Sequence, residues 1–87
     1  MSKRKIFNQI VIVGLGLIGG SLAFEIKKRK LGGKVIGVSR SNANRKEALR
    51  SHAVDEVYDK VGDFIRESDL IIFATPVESI PKLLRLK

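Results

Sequence analysis

The stretch "VIVGLGLIGGSLA", Val11–Ala23, decides how this sequence is read. It opens with β-branched, apolar residues in an unbroken run, the pattern of a strand buried on both faces. Glycines at 14, 16 and 19 follow in G-x-G-x-x-G spacing, with Gly20 directly behind. Beyond them Ile18, Leu22 and Ile26 fall at i, i+4 and i+8 with Ala23 alongside, while Glu25, Lys27, Lys28 and Arg29 are charged. That spacing predicts a helix with one apolar stripe and one solvated side. Glycines alone would signal only a tight turn; between a buried strand and an amphipathic helix they have the setting of a dinucleotide-binding motif. Gly14 permits the turn, Gly16 lets the backbone approach a pyrophosphate, and Gly19 lets helix and strand pack closely. Unpaired N–H groups at the helix start and the helix dipole then favour an anion.

Working outward, the glycines of "LGGK", 31–34, are expected to close this helix in a left-handed conformation. "KVIGV", Lys34–Val38, reads as a second strand, and "SNANRKEALRSHA", 41–53, as a turn and short helix. Asn44 with Glu47 three residues later has the spacing of a capping box. "VDEVYD", 54–59, is a weak third strand, Asp63–Glu67 a helical turn, and "DLIIFAT", Asp69–Thr75, another strand buried on both faces. Thr75, Pro76 and Glu78 suit a helix start, against which Pro81 sits awkwardly. Strands alternating with helices imply an α/β, Rossmann-like fold: an open parallel sheet of about four strands with helices on both faces.

In such folds the end of the second strand reads the adenosine ribose. NAD-binding versions carry an Asp or Glu there, about 20 residues past the glycines, to accept from the ribose 2′-hydroxyl. Twenty on from Gly19 is Ser39, followed by Arg40 and Ser41. A carboxylate would repel a 2′-phosphate, whereas serine hydroxyls and a guanidinium bind one. The loop therefore favours NADP over NAD, with Ser39, Arg40 and Ser41 as contacts and Arg45 as a second cation. His52, the sole histidine, falls between the second helix and the weak strand. That is away from the strand edge where open α/β sheets bind ligands, so it reads as a surface turn residue and not a catalyst.

Composition sets outer bounds. Eighty-seven residues, 44% hydrophobic, suit one small domain with a core. With no cysteine, disulfides and thiolate metal or redox chemistry are excluded. No apolar run approaches the ~20 residues of a membrane span, and no secretory signal pattern follows the basic N-terminus, so a cytoplasmic protein is expected. The net charge of +8, from 17 Lys and Arg against 9 Asp and Glu, suits an anionic partner. Nucleic acid, an acidic surface and a phosphorylated cofactor all fit; a merely solvated basic surface is favoured over nucleic-acid binding, because the basic runs lack interleaved aromatics.

"IVGLGLIGGSLA", "VIGVSRS", "AVDEVYD" and "DLIIFATPVESIP" together resemble the N-terminal part of prephenate and arogenate dehydrogenases, the tyrosine-pathway enzymes. The resemblance runs from Ile10 to Leu84 and implies that 1–87 is the N-terminal part of an NAD(P)-binding domain. In the full-length family it implies oxidative decarboxylation, hydride passing from a cyclohexadienyl ring to nicotinamide. Carried over residue by residue, Gly14, Gly16 and Gly19 match the pyrophosphate loop, with Leu17 and Ile18 lending backbone N–H groups. Ala74, Thr75 and Pro76 match the segment bordering the dinucleotide. Ser39 departs from the family's usual acid, and His52 stands where a glycine often ends the second helix.

The resemblance also places the catalytic histidine, the substrate pocket and a helical dimerisation domain beyond Lys87. No catalytic or metal-binding residue is therefore assigned within the chain, and by itself it is expected to lack dehydrogenase activity. The alternatives are a stand-alone dinucleotide-binding or sensing module, and a basic nucleic-acid binder on the same scaffold. The strand Leu70 to Ala74 is expected beside the first strand with its other edge open, which a homodimer would cover.

Overall fold

The structure, a computed structural model, describes residues 7–74. In chain order these form β1 (Phe7–Val13), α1 (Leu17–Lys28), β2 (Gly32–Val38), α2 (Asn42–Arg50), β3 (Glu56–Tyr58), a 3-10 turn (Asp63–Glu67) and β4 (Leu70–Phe73). The strands make one parallel sheet in the order β3-β2-β1-β4. The Rossmann-like α/β reading holds, and β4 lies beside β1 as expected.

β1 is the hub because it is paired on both sides and covered on both faces. Ile10 to Val13 are at most 1% exposed, which accounts for their unbroken apolar run. Alternate residues serve opposite layers. Ile10 and Ile12 pack with Val35, Ala23, Ile26 and Ala48 beneath the helices. Val11 and Val13 pack with Ile36, Val38 and Val61 on the other face, beside Phe64, Ile65 and Ile71. Burying each such Ile or Val contributes about 1.5–3 kcal/mol.

The register aligns the strand ends. Val13 is paired with Val38 on one side and Phe73 on the other, and Val38 is paired with Tyr58. One residue further on, Gly14 N–H donates to the Val38 carbonyl at 2.7 Å, Ala74 N–H to Val13 at 2.8 Å and Ser39 N–H to Tyr58 at 3.0 Å. Gly14, Ser39 and Ala74 are thereby brought to one edge of the sheet.

Three local expectations need correction. α1 ends with Lys30 in the left-handed region (φ 57), while Gly32 opens β2. Leu31 N–H must reach back to the Ile26 carbonyl, at 3.1 Å, to bring the chain to the sheet. α2 is capped by Ser41, whose hydroxyl accepts from Asn44 N–H at 3.1 Å; Glu47 instead pairs with Arg50. Ile18 is 75% exposed, so the buried stripe of α1 is Gly19, Ala23 and Ile26. His52 does take the left-handed turn (φ 63) and is exposed, as read.

Carboxylates latch the layers together. The Asp55 carboxylate accepts from Lys27 of α1 at 2.6 Å and from the Val35 N–H of β2 at 2.8 Å. The Asp69 carboxylate accepts the N–H groups of Asn8 and Gln9, and the Gln9 amide donates to the Phe64 carbonyl and the Ser68 hydroxyl. Burial pushes the Asp55 pKa up, but its bonds to Lys27 and Val35 prevail and hold it below the ordinary 3.8. Its contribution is then complete above that value and is lost as pH falls through the lowered one. Asp55→Asn is expected to cost about 1 kcal/mol at neutral pH. Chemical denaturation from about pH 5 to about pH 2 is expected to show a shallower loss of stability in Asp55→Asn than in the parent chain.

Candidate functional site

The candidate site is the edge where β1, β2 and β4 end. Gly14 turns the chain with φ 105, a conformation costly for any residue with a Cβ. Leu15 is buried at 4% exposure and fills the space over Gly37, where a Cβ would meet the Leu15 side chain at 2.6 Å. The residue between the first two glycines is thus a packing anchor. Its partner Gly37 carried no sequence signal, because nothing in "KVIGV" shows that its glycine faces Leu15.

Gly16 and Gly19 are glycines for opposite reasons. A Cβ on Gly19 would run into the Gly14 carbonyl oxygen, with the Ala74 Cβ at 3.3 Å behind it. Helix and strand therefore approach as closely as backbone allows. A Cβ on Gly16 would meet nothing within 4 Å among the described residues, and its extended backbone (φ −70°, ψ −159°) lies outside the left-handed region that favours glycine. The described fold gives no packing reason for glycine at 16. What an absent side chain preserves there is access to the backbone from outside.

Among the described residues, that backbone carries unused donors. The first intrahelical bond of α1 runs from Gly20 N–H to Gly16 at 2.8 Å, and no side chain caps the helix or places an acid in its first turn. The N–H groups of Leu17, Ile18 and Gly19 precede that bond and have no helical partner. The side chains of Leu17 and Ile18 are 89% and 75% exposed, flanking this end. α2 provides the contrast, since its N-terminus is closed by Ser41.

Ser39 and Ser41 lie in a locked loop. The Ser39 hydroxyl, 6% exposed as a residue, accepts from Ser41 N–H at 3.1 Å. Arg45 donates through Nη1 to the Ser39 carbonyl at 2.6 Å and through Nη2 to Asn42 Oδ1 at 3.3 Å. Arg40 is exposed, and among the described residues no carboxylate pairs with it. The structure thus brings Gly14, Gly16, Leu17, Ile18 and Gly19 to one turn, with Ala74 against Gly19 and the Ser39–Ser41 loop on the adjoining strand end. Thr75 and Pro76 lie outside the described residues, as does the helix start expected there. A cleft of about 600 Å³ also lies between α1 and α2, lined by Leu17, Phe24, Asn44 and Ala48 among others. It meets the glycine turn at Leu15, Gly16 and Leu17, but none of Ser39, Arg40 and Ser41 lines it.

A parallel sheet whose first strand delivers an uncapped helix N-terminus through G-x-G-x-x-G defines a nucleotide-binding domain of the Rossmann type. Residues 22–86 match the family described as the prephenate dehydrogenase nucleotide-binding domain, and the chain belongs to that family. It is similar to the prephenate dehydrogenase of Bacillus subtilis strain 168, at 41% identity over 79% of this chain and 19% of that protein. It is also similar to the cyclohexadienyl dehydrogenase of Zymomonas mobilis, at 35% identity over 86% of this chain and 26% of that protein. The chain therefore spans about a fifth to about a quarter of the length of these curated relatives. Among solved structures, prephenate dehydrogenase from A. aeolicus in complex with hydroxyphenyl propionate and NAD+ has the same fold. That match has a TM-score of 0.74 and 22% identity, over 87% of this chain and 27% of the other.

The two glycines separate fold from site in a stability measurement. Gly19→Ala is expected to cost about 1–3 kcal/mol, because helix and strand must part. Gly16→Asp is expected to leave stability unchanged or raise it by about 0.5 kcal/mol, since the carboxylate caps α1 and meets the positive end of its dipole. Thermal unfolding of both variants beside the parent chain measures the difference.

Proposed function

We propose that this chain binds the adenosine and pyrophosphate portions of a nicotinamide dinucleotide across its sheet edge and prefers NADP to NAD. It would do so within a dehydrogenase acting on prephenate or a related cyclohexadienyl substrate. The observation that carries the reading is the start of α1, which among the described residues has free N–H groups, an open approach over Gly16 and no side-chain cap. An anion is the ligand that satisfies such donors, at about 0.3–1 kcal/mol from the dipole and up to about 2 kcal/mol where partly buried. Gly16, Leu17 and Ile18 would hold the pyrophosphate by backbone N–H groups, with Ala74 bounding the cradle from β4. The family and the dehydrogenase names of both curated relatives support a redox nucleotide over nucleic acid. When bound, the nicotinamide supplies the hydride-accepting chemistry.

The preference for NADP rests on Ser39 and Arg40. Ser39 already accepts a bond from Ser41 N–H, so its own O–H is left to donate. A 2′-phosphate offers only acceptors to such a donor, and the unpaired Arg40 guanidinium adds a planar cationic fork. A ribose hydroxyl that needs an acceptor finds no carboxylate at position 39.

In calorimetric titrations NADPH is expected to bind more tightly than NADH, and Arg40→Ala to weaken NADPH about 10- to 100-fold while changing NADH little. Gly16→Asp is expected to lose both ligands while staying folded. Tighter binding of NADH than NADPH by the parent chain would overturn the cofactor assignment.

A further inference from the structure

We infer that Arg45 is a positioning residue for cofactor discrimination, acting through the Ser39 carbonyl and not by touching the ligand. This rests on the Ser39–Ser41 loop being the site of the 2′-phosphate.

Arg45 belongs to the first turn of α2, and its N–H is bonded to the Ser41 carbonyl at 3.0 Å. Its guanidinium folds back to the end of β2, where Nη1 donates to the Ser39 carbonyl at 2.6 Å. Nη2 is held by Asn42 Oδ1 at 3.3 Å. The Ser39 hydroxyl accepts from Ser41 N–H, and the Ser41 hydroxyl accepts from Asn44 N–H. Strand end, loop and helix start therefore close into one ring of hydrogen bonds, with Arg45 as its only charged member. A charge-assisted bond this short is the strongest link in the ring.

The consequence lies in what the loop has left to offer. Two acceptors stand at the ribose-reading position, the Ser39 hydroxyl oxygen and the Ser39 carbonyl. Ser41 N–H takes one lone pair of the first and Arg45 one lone pair of the second. Donors remain: the Ser39 O–H and the Arg40 guanidinium. A phosphate presents acceptors only, so it matches such a loop; a ribose hydroxyl, which must also donate, is matched less well. Arg45 thus selects by setting a cation on the Ser39 carbonyl and holding the serine in place. Its fork is pre-organised to bridge Ser39 and Asn42 together, which the single ammonium of a lysine does less well.

The probes are 2′,5′-ADP and 5′-AMP, which differ only in the 2′-phosphate and need no nicotinamide site. Their dissociation constants would be measured on the parent chain, Arg45→Met, Arg45→Lys and, as a control for net charge, Lys46→Met, with thermal unfolding of each. The parent chain is expected to prefer 2′,5′-ADP. Arg45→Met and Arg45→Lys are both expected to weaken 2′,5′-ADP about ten-fold while 5′-AMP stays within about two-fold, and Lys46→Met to change neither by more than about two-fold. If Arg45→Lys keeps the parent preference while Arg45→Met loses it, Arg45 is simply a second cation and the inference fails. It fails also if neither variant changes the preference, or if both ligands weaken together with the unfolding temperature. A parent chain with no preference for 2′,5′-ADP would instead overturn the NADP reading, and with it the role assigned to Arg45.

Discussion

Backbone meets backbone where α1 crosses the end of β1: Gly19 leaves no atom between the helix and the Gly14 carbonyl. The other features of the site depend on this approach. It holds the first turn of α1 at the edge where β1, β2 and β4 finish in register. It brings Ala74 to the same point, and it aims the unpaired N–H groups of the helix outward over Gly16. A side chain at 19 would lift the helix away and remove the cradle with it. The same glycine is therefore a requirement of packing and of chemistry, which is why the motif reads as both a turn and a site.

The two helix starts divide the work between structure and ligand. α2 satisfies itself, with Ser41 as cap and Arg45 tied back to the strand. α1 has no such cap and no acid in its first turn. Among the described residues the first N–H groups of α1 stay unmet, and in the proposed function a ligand meets them. In the same proposal the loop beside it, tied together by Ser41 N–H and Arg45, presents donors toward an anion.

Much of this was legible in the residues. The runs Ile10–Val13 and Leu70–Phe73 signalled strands because a central parallel strand must be apolar on both faces. Gly14 and Gly19 were assigned their tasks correctly from spacing, since φ and close approach are local demands. What escaped depends on partners distant in sequence. Asp55 and Asp69 latch strands 20 and 60 positions away, and only the sheet register shows this. Helix ends were also misread. Lys30 takes the left-handed position although two glycines stand nearby, and Ser41 caps α2 although Asn44 with Glu47 has a capping-box spacing. Ile18 fits the apolar period but belongs to the first turn, beyond the reach of the sheet, and so remains exposed. Arg45 showed itself as a cation in the sequence; its bond to Ser39 appears only once the loop is closed.

Residue-by-residue amide chemical shifts, followed while NADPH is added to the isotopically labelled chain, address the central claim most directly. The expected result is that the largest changes fall on Gly16, Leu17 and Ile18, with a second group at Ser39, Arg40 and Ser41. Changes confined to the cleft between α1 and α2, at Ser21, Phe24, Asn44 and Glu47, with the glycine turn undisturbed, would contradict it.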